Sequence, residues 1–395
     1  MPRIADILSD GYERYCLRYG CSGANNKVVR AITSCRTEVL GGHRYHCPSC
    51  DEDLVLHNSC GNRHCPRCQA MARYEWVESR QQDLLPIPYF HAVFTIPSEL
   101  NSFALRNKKA FYAILFRSVI ETLQQCASPR FPGALIGFIA VLHTWGQNLV
   151  DHPHIHCIIP SGGLSRDGKR WLKGSKSYLF PFSAMRILFR AKVLDYFKQG
   201  LADGSIGLHG SLSEFENQLR MKDLLNRLYK KKWIIYAKSP FSGPENVVRY
   251  LGNYTHRIAI SERRIIAADE QSVSFRYKDY ADNEQVKIMT LDTVEFTRRF
   301  LLHVLPKGFM RIRHYGFLSN ALRKKSMAHC SQIFKEFSEK QKERSVVKTN
   351  LPWHRRMELK TGVNPLLCKK CRVAVMVLRD IIPPVPSLPR FVCRT

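Results

Sequence analysis

An α+β fold is what the sequence predicts: a central antiparallel sheet, a zinc-ribbon-like head in front of it and a small C-terminal domain behind it. Three observations carry this. Strand-length apolar runs alternate with helix-length stretches through residues 86–265. Two CxxC knuckles, Cys47-Pro48-Ser49-Cys50 and Cys65-Pro66-Arg67-Cys68, stand fourteen residues apart near the start. Four short β-rich runs between residues 258 and 289 read as a meander.

Taken in order, residues 1–85 form the head and end in a helix predicted from Gln69 to Leu85, which Pro86-Ile87-Pro88 stops. A strand is predicted at His91 to Ile96 and a helix at Asn107 to Ala127. Residues 135–162 then read as a β-hairpin: Leu135 to Leu142 is almost continuously apolar, Gly146-Gln147-Asn148 supplies the turn, and Asp151 to Ile159 is a second strand-like run. Helices are predicted from Ser183 to Gly200 and from Ser211 to Lys230, a strand at Trp233 to Ala237, and a helix after Pro244-Glu245-Asn246 that closes a core of residues 86–265. The third segment, 266–340, takes the rest of the meander and a helix from Asp292 to His303. Residues 341–395 are polar and proline-rich, which predicts a partly disordered tail.

The knuckle spacing is that of a zinc ribbon. Cys47, Cys50, Cys65 and Cys68 are the expected ligands of one structural Zn²⁺, since four thiolates close a tetrahedron and leave no open position. Cys35, His46, Cys60 and His64 lie close enough to compete. A third pair, Cys368 and Cys371, has no second CxxC after it, so a closed site there needs a partner such as His354, Cys393 or another part of the chain. This spacing does not suggest a disulfide scaffold.

A different chemistry is written into Asp151-His152-Pro153-His154-Ile155-His156. In a strand, alternate side chains share a face, so His154 and His156 present two imidazoles together. If the hairpin turns near Asn148 and Leu149, His143 falls opposite His154 and becomes the third candidate ligand, with Gln147 as the alternative. Three nitrogens suit Mn²⁺, Co²⁺ or Zn²⁺ better than Mg²⁺, unless phosphate oxygens from a substrate complete the shell.

Tyr250 and Tyr254 share one face of the helix that closes the core, with Arg249, His256 and Arg257 beside them. A phenol with a pKa near 10 is a poor nucleophile, but a cationic setting and a divalent ion acting on a phosphodiester would make attack on phosphorus feasible. Two aromatics on an amphipathic stripe would give the same spacing.

Lys and Arg number 61 against 33 Asp and Glu, a net charge of +28. That excess implies a polyanionic partner, nucleic acid above all. Clusters such as Lys230-Lys231-Lys232-Trp233 and Arg311-Ile312-Arg313-His314-Tyr315 mix cations with aromatics, as a single strand with exposed bases requires. No run of about twenty uninterrupted apolar residues exists to span a membrane. No Walker-type phosphate loop is present.

The segments SCGNRHCPRCQ, HTWGQNLVDHPHIH, KSPFSGPENVVRYLGNYTHRIAIS and RRFLLHVLPKGFMRIRHYGFLSN resemble the two-tyrosine HUH transposases of rolling-circle insertion sequences, the insertion sequence 91 family. The resemblance covers most of residues 35–320. It implies an HUH endonuclease core of ferredoxin-like, relaxase type and a zinc-binding head. His154 and His156 would ligate a catalytic Mg²⁺ or Mn²⁺, and Tyr250 and Tyr254 would be the nucleophiles that form 5′-phosphotyrosine links. Lys238, Arg249 and Arg257 are the candidate phosphate contacts. The implied partners are single-stranded ends of the protein's own element and target DNA, with no membrane, in the nucleoid of a bacterial cytoplasm.

Overall fold

The computed structural model describes residues 2–81, 83–175, 179–238, 246, 252, 259–280, 282–335 and 351–385. The chain divides into two compact units, one of Met1–Ala72, Ile260–Val304 and Glu339–Thr395, the other of Arg73–Ala259 and Leu305–Ser338. Both are assembled from stretches far apart in sequence, whereas the sequence suggested four consecutive segments.

The second unit is built on five strands: β1 (Tyr89–Thr95), β2 (Phe138–Trp145), β3 (Asp151–Pro160), β4 (Ile235–Lys238) and β5 (Ile312–Tyr315). Their order is β5-β2-β3-β1-β4, and every neighbouring pair is antiparallel. Helix α1 (Lys108–Ala127) connects β1 towards β2, and helix α2 (Phe182–Ala202) lies between β3 and β4 in the chain.

The β2–β3 turn is tight. Gly146 N donates to Val150 O at 3.0 Å, Leu149 N donates to Gly146 O at 3.1 Å, and Leu149 sits at φ +63° with its side chain buried. A leucine in the left-handed region is strained, and burying its side chain offsets that cost.

Alternation then sorts the strand residues onto two faces. Phe90, Ala92 and Phe94 of β1, Phe138, Ala140 and Leu142 of β2, and Ile155, Cys157 and Ile159 of β3 join one core with Phe111, Tyr112, Leu115 and Phe116 of α1 and Phe189, Val193 and Phe197 of α2. Phe94 meets Phe189 edge-on at 5.1 Å. Each such aromatic contributes roughly 1.5–3 kcal/mol by leaving water, so this face fixes the register of the other.

The other face carries Ile139 and Val141 on β2 and Ile158 on β3, covered by Trp76, Val77, Leu84, Leu85, Ile87, Phe317 and Leu318. Trp76 and Val77 belong to the helix Pro66–Gln81, which starts three residues before the predicted Gln69 because Pro66 takes the first helical position. The predicted helix from Ser211 divides into a 3-10 stretch, Gly210–Glu216, and an α-helix, Gln218–Lys230, capped by Asn217, whose side chain accepts from Leu219 N and Arg220 N.

In the first unit the helix Ile4–Tyr19 packs on the helix Thr293–Leu302, closely enough that a Cβ on Gly11 would lie 2.6 Å from Thr297 Oγ1. Asp292 caps the second of these helices. Strands Ile265–Ala268, Ser272–Asp279 and Gln285–Asp292 form the predicted antiparallel meander. Ala259 and Ile260, predicted to open it, are not in a strand, and Ile258 lies outside the described residues. Cys16 and Cys21, five residues apart, form a disulfide.

Of the tail expected to be partly disordered, residues 351–385 are ordered. They form a helix, Trp353–Thr361, and a strand, Val377–Ile382, which pairs with Gly42–His46; that strand also pairs with Asp53–His57 to give a three-stranded sheet. Composition misjudged the tail because its fold depends on a partner strand more than 330 residues away, Gly42 facing Ile382.

Candidate metal centres

The hairpin register sets His143 directly opposite His154 and Val141 opposite His156. Alternation puts all three histidines on the face away from the large core. One nitrogen from each of His143, His154 and His156 lies within 4.8 Å of the others. The His143 and His156 rings are 4.3 Å apart, and Trp145 stacks on His143 at 4.7 Å. Gln147, the alternative ligand, falls in the turn between the strands.

The ring tautomers are constrained. His154 Nδ1 donates to His152 O at 2.6 Å, which makes Nε2 its ligating nitrogen. His156 Nδ1 lies 2.8 Å from Nε2 of His91, and the two rings stack at 5.1 Å. Burial pushes His154 down to about 4 and His156 well below the usual histidine range, with like-charge repulsion among His143, His154 and His91 adding to the effect on His156. Neutral imidazoles crowded in this way are poised to bind a cation.

His91 was not anticipated from the sequence. It lies on β1 with Val93 facing His156, and the clue was a lone polar residue inside the apolar run Tyr89–Phe94. Reading that clue needs the β1–β3 register, which spacing along the chain does not give.

Tyr250, Tyr254, Arg249 and Arg257 lie outside the described residues. Lys238 ends β4, with His91 as its cross-strand neighbour, and its side chain is also outside the description. Gly252, between the two tyrosines, is described: it is buried, and a Cβ there would run into Val77 Cγ2. Val77 packs with Ile158, which shares the strand face of His154 and His156.

The cysteines regroup. Cys47 and Cys50 do not meet Cys65 and Cys68. One cluster is Cys35, Cys60, Cys65 and Cys68; the other is Cys47, Cys50, Cys368 and Cys371, and in each the sulfurs lie within 4.8 Å of one another. Cys68 Sγ is 3.6 Å from both Cys35 Sγ and Cys60 Sγ.

Local backbone explains the regrouping. Cys65-Pro66-Arg67-Cys68 runs straight into a helix, so its thiols face the end of the preceding helix, where Cys35 lies, and the loop of Cys60. Cys47-Pro48-Ser49-Cys50 instead leaves a strand and closes through Asp51 at φ +61°. Two competing ligands are engaged elsewhere: His46 Nδ1 with Asp53 at 3.1 Å and His64 Nδ1 with Asn62 at 3.2 Å.

Residues 7–96 match a family described as "Transposase zinc-binding domain", and residues 137–326 match one described as "Putative transposase". Zinc-binding cysteine clusters followed by this segment define a transposase, an enzyme that processes DNA. A protein of Sinorhizobium fredii described as "Putative transposase y4qJ" is 41% identical over 391 residues, 98% of each chain. "Transposase for insertion sequence element IS801" of Pseudomonas savastanoi pv. phaseolicola is 29% identical over 297 residues, covering 74% of this chain and 70% of its own. The chain belongs to the insertion sequence 91 family of transposases. No solved structure matches it. Among the described residues, no helix is long and apolar enough to cross a membrane.

Proposed function

We propose that this transposase cuts single-stranded DNA at the ends of its own element by tyrosine attack on phosphorus. The observation that carries the reading is the convergence of His143, His154 and His156 on one point of the β2–β3 face. Three further features support it. The order β4-β1-β3-β2, with α1 and α2 as the crossovers, is that of a ferredoxin-like core, and β5 extends its free edge. Gly252, between the two tyrosines in sequence, lies against Val77, in the layer that covers the histidine face. The net charge of +28 favours a nucleic-acid partner.

The donor set fits a divalent cation, because two of the three rings are held neutral and have their second nitrogen fixed by a neighbour. When bound, a cation such as Mn²⁺ or Mg²⁺ withdraws charge from the scissile phosphate. Tyr250 or Tyr254 attacks phosphorus through its phenol oxygen, and the bond to the 3′ oxygen breaks. The phenol gives up its proton to solvent and the leaving 3′ oxygen takes one up, and the 5′ phosphate stays esterified to the tyrosine. The ester conserves the bond energy, so a 3′ hydroxyl can reverse the step during strand transfer without a nucleotide cofactor. Arg249, Arg257 and Lys238 hold the flanking phosphates.

The test is incubation of labelled single-stranded element ends with the protein and Mn²⁺ or Mg²⁺, followed by denaturing electrophoresis. A covalent protein–DNA adduct, lost in Tyr250→Phe/Tyr254→Phe and in His154→Ala, is the expected result. Cleavage without an adduct would identify a hydrolytic nuclease, and binding without cleavage a DNA-binding regulator.

A further inference from the structure

We propose that Cys47, Cys50, Cys368 and Cys371 hold a second structural zinc ion, which locks the C-terminal segment of the chain onto its N-terminal head. The matched zinc-binding segment, residues 7–96, contains only half of this site. The other half comes from far along the chain: Cys47 Sγ is 3.7 Å from Cys371 Sγ across 324 residues, and Cys50 Sγ is 3.5 Å from Cys368 Sγ across 318. A tetrahedron with Zn–S bonds of about 2.3 Å has S···S edges of about 3.8 Å. These separations are the edges such a tetrahedron requires.

The two halves share one backbone design. In each, the residue after the second cysteine adopts a left-handed conformation, Asp51 at φ +61° and Arg372 at φ +57°. In each, the first cysteine's N–H donates beyond the knuckle, Cys47 to Glu52 O at 2.8 Å and Cys368 to Ala374 O at 2.9 Å. The knuckles face each other because Gly42–His46 and Val377–Ile382 pair antiparallel, with His46 opposite Val377. Tyr45, Leu366 and Met376 bury the base of the site.

Four sulfurs in a tetrahedron select zinc or iron over harder ions.

Metal analysis of the purified full-length protein should find about two zinc ions per chain, and about one in Cys368→Ser/Cys371→Ser. Should that variant prove insoluble, alkylation of the wild-type protein read by peptide mass spectrometry decides the matter. Cys47, Cys50, Cys368 and Cys371 should be protected in the zinc-loaded protein and become labelled together as a chelator is raised. One zinc per wild-type chain, iron in place of the second zinc, or Cys368 and Cys371 labelled equally fast before and after chelation would overturn the proposal.

Discussion

His143 faces His154 across the β2–β3 hairpin, with their rings 5.3 Å apart and nearly perpendicular. One nitrogen from each ring, and one from His156, lie within 4.8 Å of one another, close enough to share one ion. His143→Ala should therefore abolish cation-dependent cleavage, by about two orders of magnitude or more, while leaving the fold intact. Cleavage assays across a Mn²⁺ titration check this, and wild-type rates in the variant would remove His143 from the ligand set.

The neighbour of this set makes a finer prediction. His91 Nε2 lies 2.8 Å from His156 Nδ1 and so decides which nitrogen of His156 is left for the ion. His91→Phe keeps a ring in an apolar layer but loses that hydrogen bond. Cation affinity should fall about 10- to 100-fold, with catalysis at saturating cation largely preserved. An unchanged Mn²⁺ dependence would mean that His91 only fills space.

The hairpin and its histidines were legible in the sequence because both signals are local: alternation fixes the face of His154 and His156, and a short turn fixes their partner on the next strand. The meander from Ile265 to Asp292 was legible for the same reason. What the sequence hid is long-range. The spacing of Cys47-Cys50 and Cys65-Cys68 suggested one ribbon, but a CxxC pair carries no information about a partner 318 residues later. His91 was hidden because its register against β3 is set by the packed core. The tail at 351–385 read as loose because its strand is stabilised by pairing with Gly42–His46 and not by its own composition.

The contact between Gly252 and Val77 predicts an unusual pair of variants. Valine is branched at Cβ and cannot swing aside, so Gly252→Ala overfills the site, at a cost of about 1–3 kcal/mol. Adduct formation should drop with it, because the tyrosines flank this residue. Val77→Ala removes the obstructing methyl and should restore adduct formation in the double variant. If the double variant is no better than Gly252→Ala alone, the tyrosine segment is not positioned through Val77.

Asp151, at the start of the histidine strand, links pH to stability. It is 7% exposed, and neither carboxylate oxygen has a hydrogen-bond partner among the described residues. Burial pushes its carboxyl up to about 7 from an ordinary 3.8, and the charge on Lys108 opposes the shift only in part. A carboxyl raised in the folded state binds its proton more tightly there than in the unfolded chain. Its stabilising contribution is fully present below about pH 4 and is lost as pH rises through about 7. The difference between 7 and 3.8 caps the loss at about 4 kcal/mol. Asp151→Asn cannot ionise, so its melting temperature should exceed that of the wild type at pH 8, and the gap should close by about pH 4. Thermal melts of both proteins at the two pH values make the comparison. A variant less stable than the wild type at pH 8 would mean that the ionised carboxylate is held by a favourable interaction, such as an ion pair with Lys108, that outweighs its burial.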